Sequence, residues 1–121
     1  MSALIWVAVG VLGGASVLAR FVVDGEISKG VGRAFPFGVL VVNVSGSLLL
    51  GLIDGLGLAG TELTFVGMAT LGSYTTFSTW MFETNRLAED GFAERAWLNI
   101  AASIALGFVA VFVGRALGRL F

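Results

Sequence analysis

Thr70, Gly72, Ser73, Tyr74, Thr75, Thr76, Ser78 and Thr79 crowd hydroxyls and glycine into one short run of an otherwise apolar chain, and Phe77 and Trp80 lie three residues apart beside them. Hydroxyls can donate to an anion, and carbonyls freed from a helix can hold a cation. A ring edge, which carries partial positive charge, can touch a small anion without the grip of a fixed Lys or Arg. Two further tracks run at helical spacing. Asn43, Ser47, Gly51 and Gly55 follow at steps of four, and Asn99, Ser103 and Gly107 repeat the design. The chain has no Cys and no His, so a thiolate nucleophile, a disulfide, an imidazole base and an ordinary zinc site are all excluded. Seven basic residues against eight acidic ones leave no basic face for nucleic acid.

The elements that carry these residues are set by the charges. Of 121 residues, 57% are hydrophobic and 12% charged, a composition for a chain whose surface faces lipid. Ser2 to Ala19, Ala34 to Ile53, Leu63 to Phe82 and Ala96 to Gly114 contain no formal charge. Each window holds roughly 18 to 20 residues, enough at about 1.5 Å per residue to cross about 30 Å of hydrocarbon. The expectation is one all-α transmembrane domain over 1–121, with helices at about 3–23, 36–55, 62–86 and 95–118. The first window has no basic leader and is long for a signal peptide, so it is expected to stay in the mature protein. The connections are too short for an extramembrane domain, which excludes most enzyme chemistry. Arg20, Lys29, Arg33, Arg86 and Arg95 lie on one side, and Arg115 and Arg119 on the other. That bias fits either a weakly preferred orientation or insertion in both.

Depth gives the polar residues their meaning, because a polar group in hydrocarbon is costly unless it meets a partner or lines a cavity. Asn43 falls near the middle of its window, where a path for ions and a hydrogen bond between helices both satisfy its amide. Gly10, Gly14, Gly51, Gly55 and Gly107 read as close-packing positions. The third window is a poor regular helix, since glycine lowers helix propensity and Ser and Thr offer competing local hydrogen bonds. Either it breaks near Gly72 to Thr76 and lines a protected path, or it stays intact with its hydroxyls bonded back to its own carbonyls.

The run Gly72-Ser73-Tyr74-Thr75-Thr76-Phe77-Ser78-Thr79-Trp80-Met81-Phe82-Glu83 resembles the helix 3 signature of the small microbial fluoride channels called Fluc or CrcB. Pro36 to Ser47, with Gly38, Asn43, Gly46 and Ser47, is similar to that family's helix 2 pattern, and Arg20-Phe21 falls where the family has Arg and an aromatic. The resemblance spans the whole chain. It implies a fluoride-selective channel for passive fluoride efflux and fluoride resistance, multi-pass in the cell membrane, surrounded by lipid, and not an enzyme. It also implies an antiparallel, dual-topology dimer whose helix 3 is broken near its centre. The second subunit is a copy of the same chain or a diverged paralogue in inverted orientation.

By motif position the resemblance assigns a structural sodium ion at the dimer interface to the backbone carbonyls of Gly72 and Thr75. It assigns the fluoride path to Asn43, Phe77 and Trp80, with Ser78 and Thr79 as nearby hydroxyls. Ser47, Asn99, Ser103 and Arg20 complete the candidate set. The chain departs from the family at three places: Trp80 stands for a usual Phe, Val39 for a usual Thr, and Ser16-Val17 for a usual Gly-Ala. Two alternatives remain, a small multidrug-type proton-coupled exporter and a non-transporting structural subunit. The exporter needs a membrane-buried carboxylate, and helix 1 has none before Asp24.

Overall fold

The computed structural model describes residues 2–121, and among them every regular element is helical. Continuous apolar sequence in lipid leaves the backbone no water to bond, so each spanning segment satisfies its own amides as a helix. The elements are α1 (Ala3–Val31), α2 (Phe37–Leu56), a single turn α3 (Gly60–Glu62), a π-helix (Leu63–Leu71), a second single turn α4 (Gly72–Tyr74), α5 (Ser78–Glu89) and α6 (Ala93–Gly118). Of these, α1, α2 and α6 are each long and apolar enough to cross a membrane. The third crossing is assembled from the pieces between Gly60 and Glu89.

Helix α1 starts at a Ser2 cap, whose hydroxyl accepts from the Ile5 N–H at 3.4 Å. It runs on to Val31, past the end expected near residue 23. The polar stretch after residue 23 supports helix rather than loop: Ser28 donates to Asp24 at 3.3 Å, and Lys29 pairs with Glu26 at 3.3 Å. Gly32, at φ +78°, then ends it.

Helices α2 and α6 form the tightest pair. A methyl group at Gly51 would overlap the Val111 carbonyl, and one at Gly55 the Arg115 carbonyl. Gly114 and Gly118 meet the backbone at Leu48 and Leu52 in the same way. Small residues on both helices thus bring the two backbones together, which is how helices associate in lipid without a hydrophobic drive. Gly107 is looser, with only the Ser47 hydroxyl at 3.7 Å. Gly10 and Gly14, expected to be packing positions, face open space within the chain, where an added methyl would meet nothing within 4 Å among the described residues. Helix α1 approaches the third crossing at Gly13 instead, where an added methyl would lie 3.2 Å from the Ser73 hydroxyl.

The core is thin, centred on Val39, Val42, Ile53, Ala69, Leu71, Leu87, Ala96 and Ala110. Large apolar side chains such as Trp6, Phe21, Trp97 and Phe112 point outward. In water this would be an aggregation hazard, whereas against lipid tails it is the low-energy arrangement.

Candidate functional site

The third crossing departs from α-helix twice. Over Leu63–Leu71 it widens to a π-helix, and Gly72 N–H bonds the Gly67 carbonyl five residues back. The Thr70 hydroxyl reinforces that register by donating to the Phe65 carbonyl at 2.7 Å. After Tyr74 the chain breaks: Thr75 is extended, with φ −75° and ψ 161°, and helix resumes only at Ser78. The crossing is therefore broken rather than intact, although a back-bonded hydroxyl accompanies the break. The Thr75 hydroxyl bonds back to the Leu71 carbonyl at 3.1 Å, and the break follows at once.

Asn43 holds the break. Its Nδ2 donates to the Thr76 carbonyl and its Oδ1 accepts from the Thr76 N–H, both at 2.8 Å. In an unbroken helix that N–H would bond the Gly72 carbonyl, so the amide of Asn43 releases the Gly72 oxygen. A broken backbone inside a membrane needs such substitutes for its lost bonds. One Nδ2 hydrogen of Asn43 stays uncommitted by these two bonds. Tyr74 and Ser45 hydroxyls meet at 3.1 Å, and the Thr76 hydroxyl accepts from the Thr79 N–H at 3.2 Å, capping the resumed helix.

Two grooves flank Asn43. The larger, about 560 Å³, is lined by Asn43, Ser47, Gly72, Thr75, Phe77 and Trp80 among others. The smaller, about 290 Å³, shares Asn43, Ser47 and Trp80 and adds Ser103 and Gly107. Phe77 and Trp80 meet edge to face, with centroids 5.6 Å apart and planes at 79°. Among the described residues no Lys or Arg lines either groove, so an anion there meets an amide, hydroxyls and ring edges rather than a fixed cation.

The other candidates are dispersed. Thr79 and Arg20 line a separate, more enclosed cavity of about 200 Å³ with Asp24 and Thr76. Arg20 reaches from there to donate to the Thr75 carbonyl at 3.4 Å. Ser78 is exposed, 3.5 Å from the Thr76 hydroxyl, and lines neither groove. Asn99 is fully buried, its Nδ2 donating to Thr84 Oγ1 at 2.9 Å. Asn99 Oδ1 and the Ser103 hydroxyl are buried without a partner. Two contributors went unassigned in the sequence reading. Thr76 acts through its backbone, which no side-chain pattern reports. Thr84 lies four residues beyond Trp80, a spacing that extends the hydroxyl run by one turn.

Gly72 and Thr75 present carbonyls of the kind a hard monovalent cation takes. The Gly72 oxygen is released by Asn43, and the Thr75 oxygen carries the long contact from Arg20. The donor set fits sodium in kind. Two such oxygens in one chain leave most of a coordination shell to be supplied from elsewhere.

A broken crossing braced by a membrane-depth amide, beside apolar spanning helices, defines a multi-pass membrane protein built for ion passage. The model of the CrcB-like proteins, described as Camphor Resistance (CrcB), matches residues 7–115, and the chain belongs to that family. It is 47% identical to "Fluoride-specific ion channel FluC 2" of Mycolicibacterium paratuberculosis, covering 96% of this chain and 95% of that one. Its identity to "Fluoride-specific ion channel FluC 2" of Mycobacterium tuberculosis is 42%, over 92% and 88% of the two chains. With "Fluoride-specific ion channel FluC 1" of Symbiobacterium thermophilum it is 43% identical, over 93% and 96%.

Proposed function

We propose that this chain forms a fluoride-selective channel in the cell membrane and carries fluoride outward passively, down its electrochemical gradient. The observation that carries this reading is the convergence of Asn43, Phe77 and Trp80 on one groove without a fixed cation. Fluoride is small and strongly hydrated, so passage requires replacement of its water. The free Nδ2 hydrogen of Asn43 and the ring edges of Phe77 and Trp80 supply that replacement, while the Ser47 hydroxyl spends its one hydrogen on the Asn43 carbonyl at 2.8 Å. Ring edges hold an anion weakly, and weak binding allows it to leave.

Two copies in opposite membrane orientations complete the site. Phe77 is 70% exposed in a single chain, so this wall of the path has no opposite side within the chain. Five basic residues on one side against two on the other permit both orientations, and an identical copy or a diverged paralogue could serve as the second subunit. Gly72 and Thr75 carbonyls from both subunits would hold a sodium ion, which neutralises converging carbonyl dipoles and ties the two breaks together.

Fluoride release from proteoliposomes, followed with an ion-selective electrode, tests the function. Release of fluoride far faster than chloride is expected. Equal chloride release, or no fluoride release, would sink it. The chain has no cysteine, so one introduced at a terminus reports topology. Labelling from both sides supports inverted subunits, and labelling from one side overturns them.

A further inference from the structure

We propose that Thr84 and Asn99 are positioning residues that fix the indole of Trp80 by a closed hydrogen-bond circuit and keep its N–H out of the anion path. This inference rests on the fluoride-channel reading for its consequence, but its geometry stands apart. Trp80 Nε1 donates to the Asn99 carbonyl at 3.4 Å. Asn99 Nδ2 donates to Thr84 Oγ1 at 2.9 Å. Thr84 Oγ1 donates to the Trp80 carbonyl at 2.8 Å, which closes the loop. The directions are mutually consistent: the Thr84 hydroxyl gives its one hydrogen to Trp80 and offers a lone pair to Asn99.

Both ends of the circuit are set by a single buried residue of α6. Asn99 is completely buried, and it engages the ring through its backbone and the turn Trp80–Thr84 through its side chain. The two attachments fix where α5 sits on α6 and how the ring is turned. A partly buried indole N–H needs an acceptor, and it takes the nearest one on offer. Were Asn99 not holding it, the N–H could turn into the grooves that Trp80 shares with Asn43 and Ser47. A strong dipolar donor there would hold any anion more tightly and delay its departure. The circuit directs the N–H at the Asn99 carbonyl, while the ring lines both grooves and meets Phe77 at a steep angle.

The test is a double-mutant cycle in proteoliposomes, because Thr84→Val preserves shape and removes only the hydroxyl. In the native background T84V is expected to slow fluoride release roughly fivefold to tenfold, the population shift that one lost hydrogen bond carries. In a Trp80→Phe background, which has its own baseline rate, T84V still removes the Asn99 attachment but has no indole to release, so a clearly smaller slowing is expected. Thr84→Ser should restore the native rate. Equal slowing in both backgrounds, or no slowing in either, would overturn the proposal. If T84V does not assemble, Thr84→Ala takes its place. A second readout needs no transport: with Trp6 and Trp97 replaced by Phe, the single indole N–H resonance of Trp80 should move upfield and broaden in T84V. If the native protein passes no fluoride, the functional reading fails by itself. An unmoved resonance would then still overturn the circuit, and a moved one would support it.

Discussion

The carboxamide of Asn43 and the peptide of Thr76 form a two-point pair, with donor and acceptor of each at 2.8 Å from the other. A side chain on one helix thus stands in for the next turn of another. Of the sequence alternatives for Asn43, the bond between helices is the one seen, and the same residue also lines both grooves, where the path role is proposed.

Replacing Asn43 by Leu should therefore damage fold and transport together. Two hydrogen bonds are lost and a buried peptide is stranded, a cost of about 3 kcal/mol. The expected result is a clearly lower melting temperature in detergent and no fluoride release from proteoliposomes. A variant that kept native stability would show that the Thr76 peptide does not depend on this amide.

Gly114→Ala should be far more harmful than Gly30→Ala. A methyl at Gly114 would strike the Leu48 carbonyl, a rigid backbone atom, whereas Gly30 lies in exposed helix with nothing within 4 Å. Overpacking of this kind costs about 1–3 kcal/mol, while alanine in an exposed helix gains up to about 1 kcal/mol. Thermal unfolding of the two variants side by side measures the contrast.

The ion pair between Arg115 and Asp54, 3.1 Å long, joins the ends of α2 and α6 but leaves both side chains about half exposed or more. Asp54→Asn should cost less than about 1 kcal/mol, lose even that in high salt, and leave fluoride release unchanged. A large loss of stability or flux would assign this pair a role that its exposure does not support.

Sodium should stabilise the assembled protein. A ligand that binds only the folded state raises its stability by mass action. Melting in sodium chloride should occur at a higher temperature than in N-methylglucamine chloride of equal ionic strength. Identical melting curves would remove sodium from the Gly72 and Thr75 carbonyls.

The charge-free windows determined that the chain is helical and lies in the membrane, since hydrocarbon leaves a backbone no other way to satisfy its amides. The density of Ser, Thr and Gly after Thr70 located a break to within a few residues, because those types compete with helix wherever they occur. Tertiary structure decided the rest. Helix α1 continues to Val31 through an ion pair and a side-chain hydrogen bond that a count of apolar residues overlooks. Thr79 and Arg20 share one cavity while Phe77 and Trp80 face another, because the extended Thr75 rotates everything after it relative to a continuous helix. A motif fixes the order of side chains along the chain, but the direction each one faces after a break depends on backbone angles. Here those angles are set by Asn43, more than thirty residues earlier in the chain.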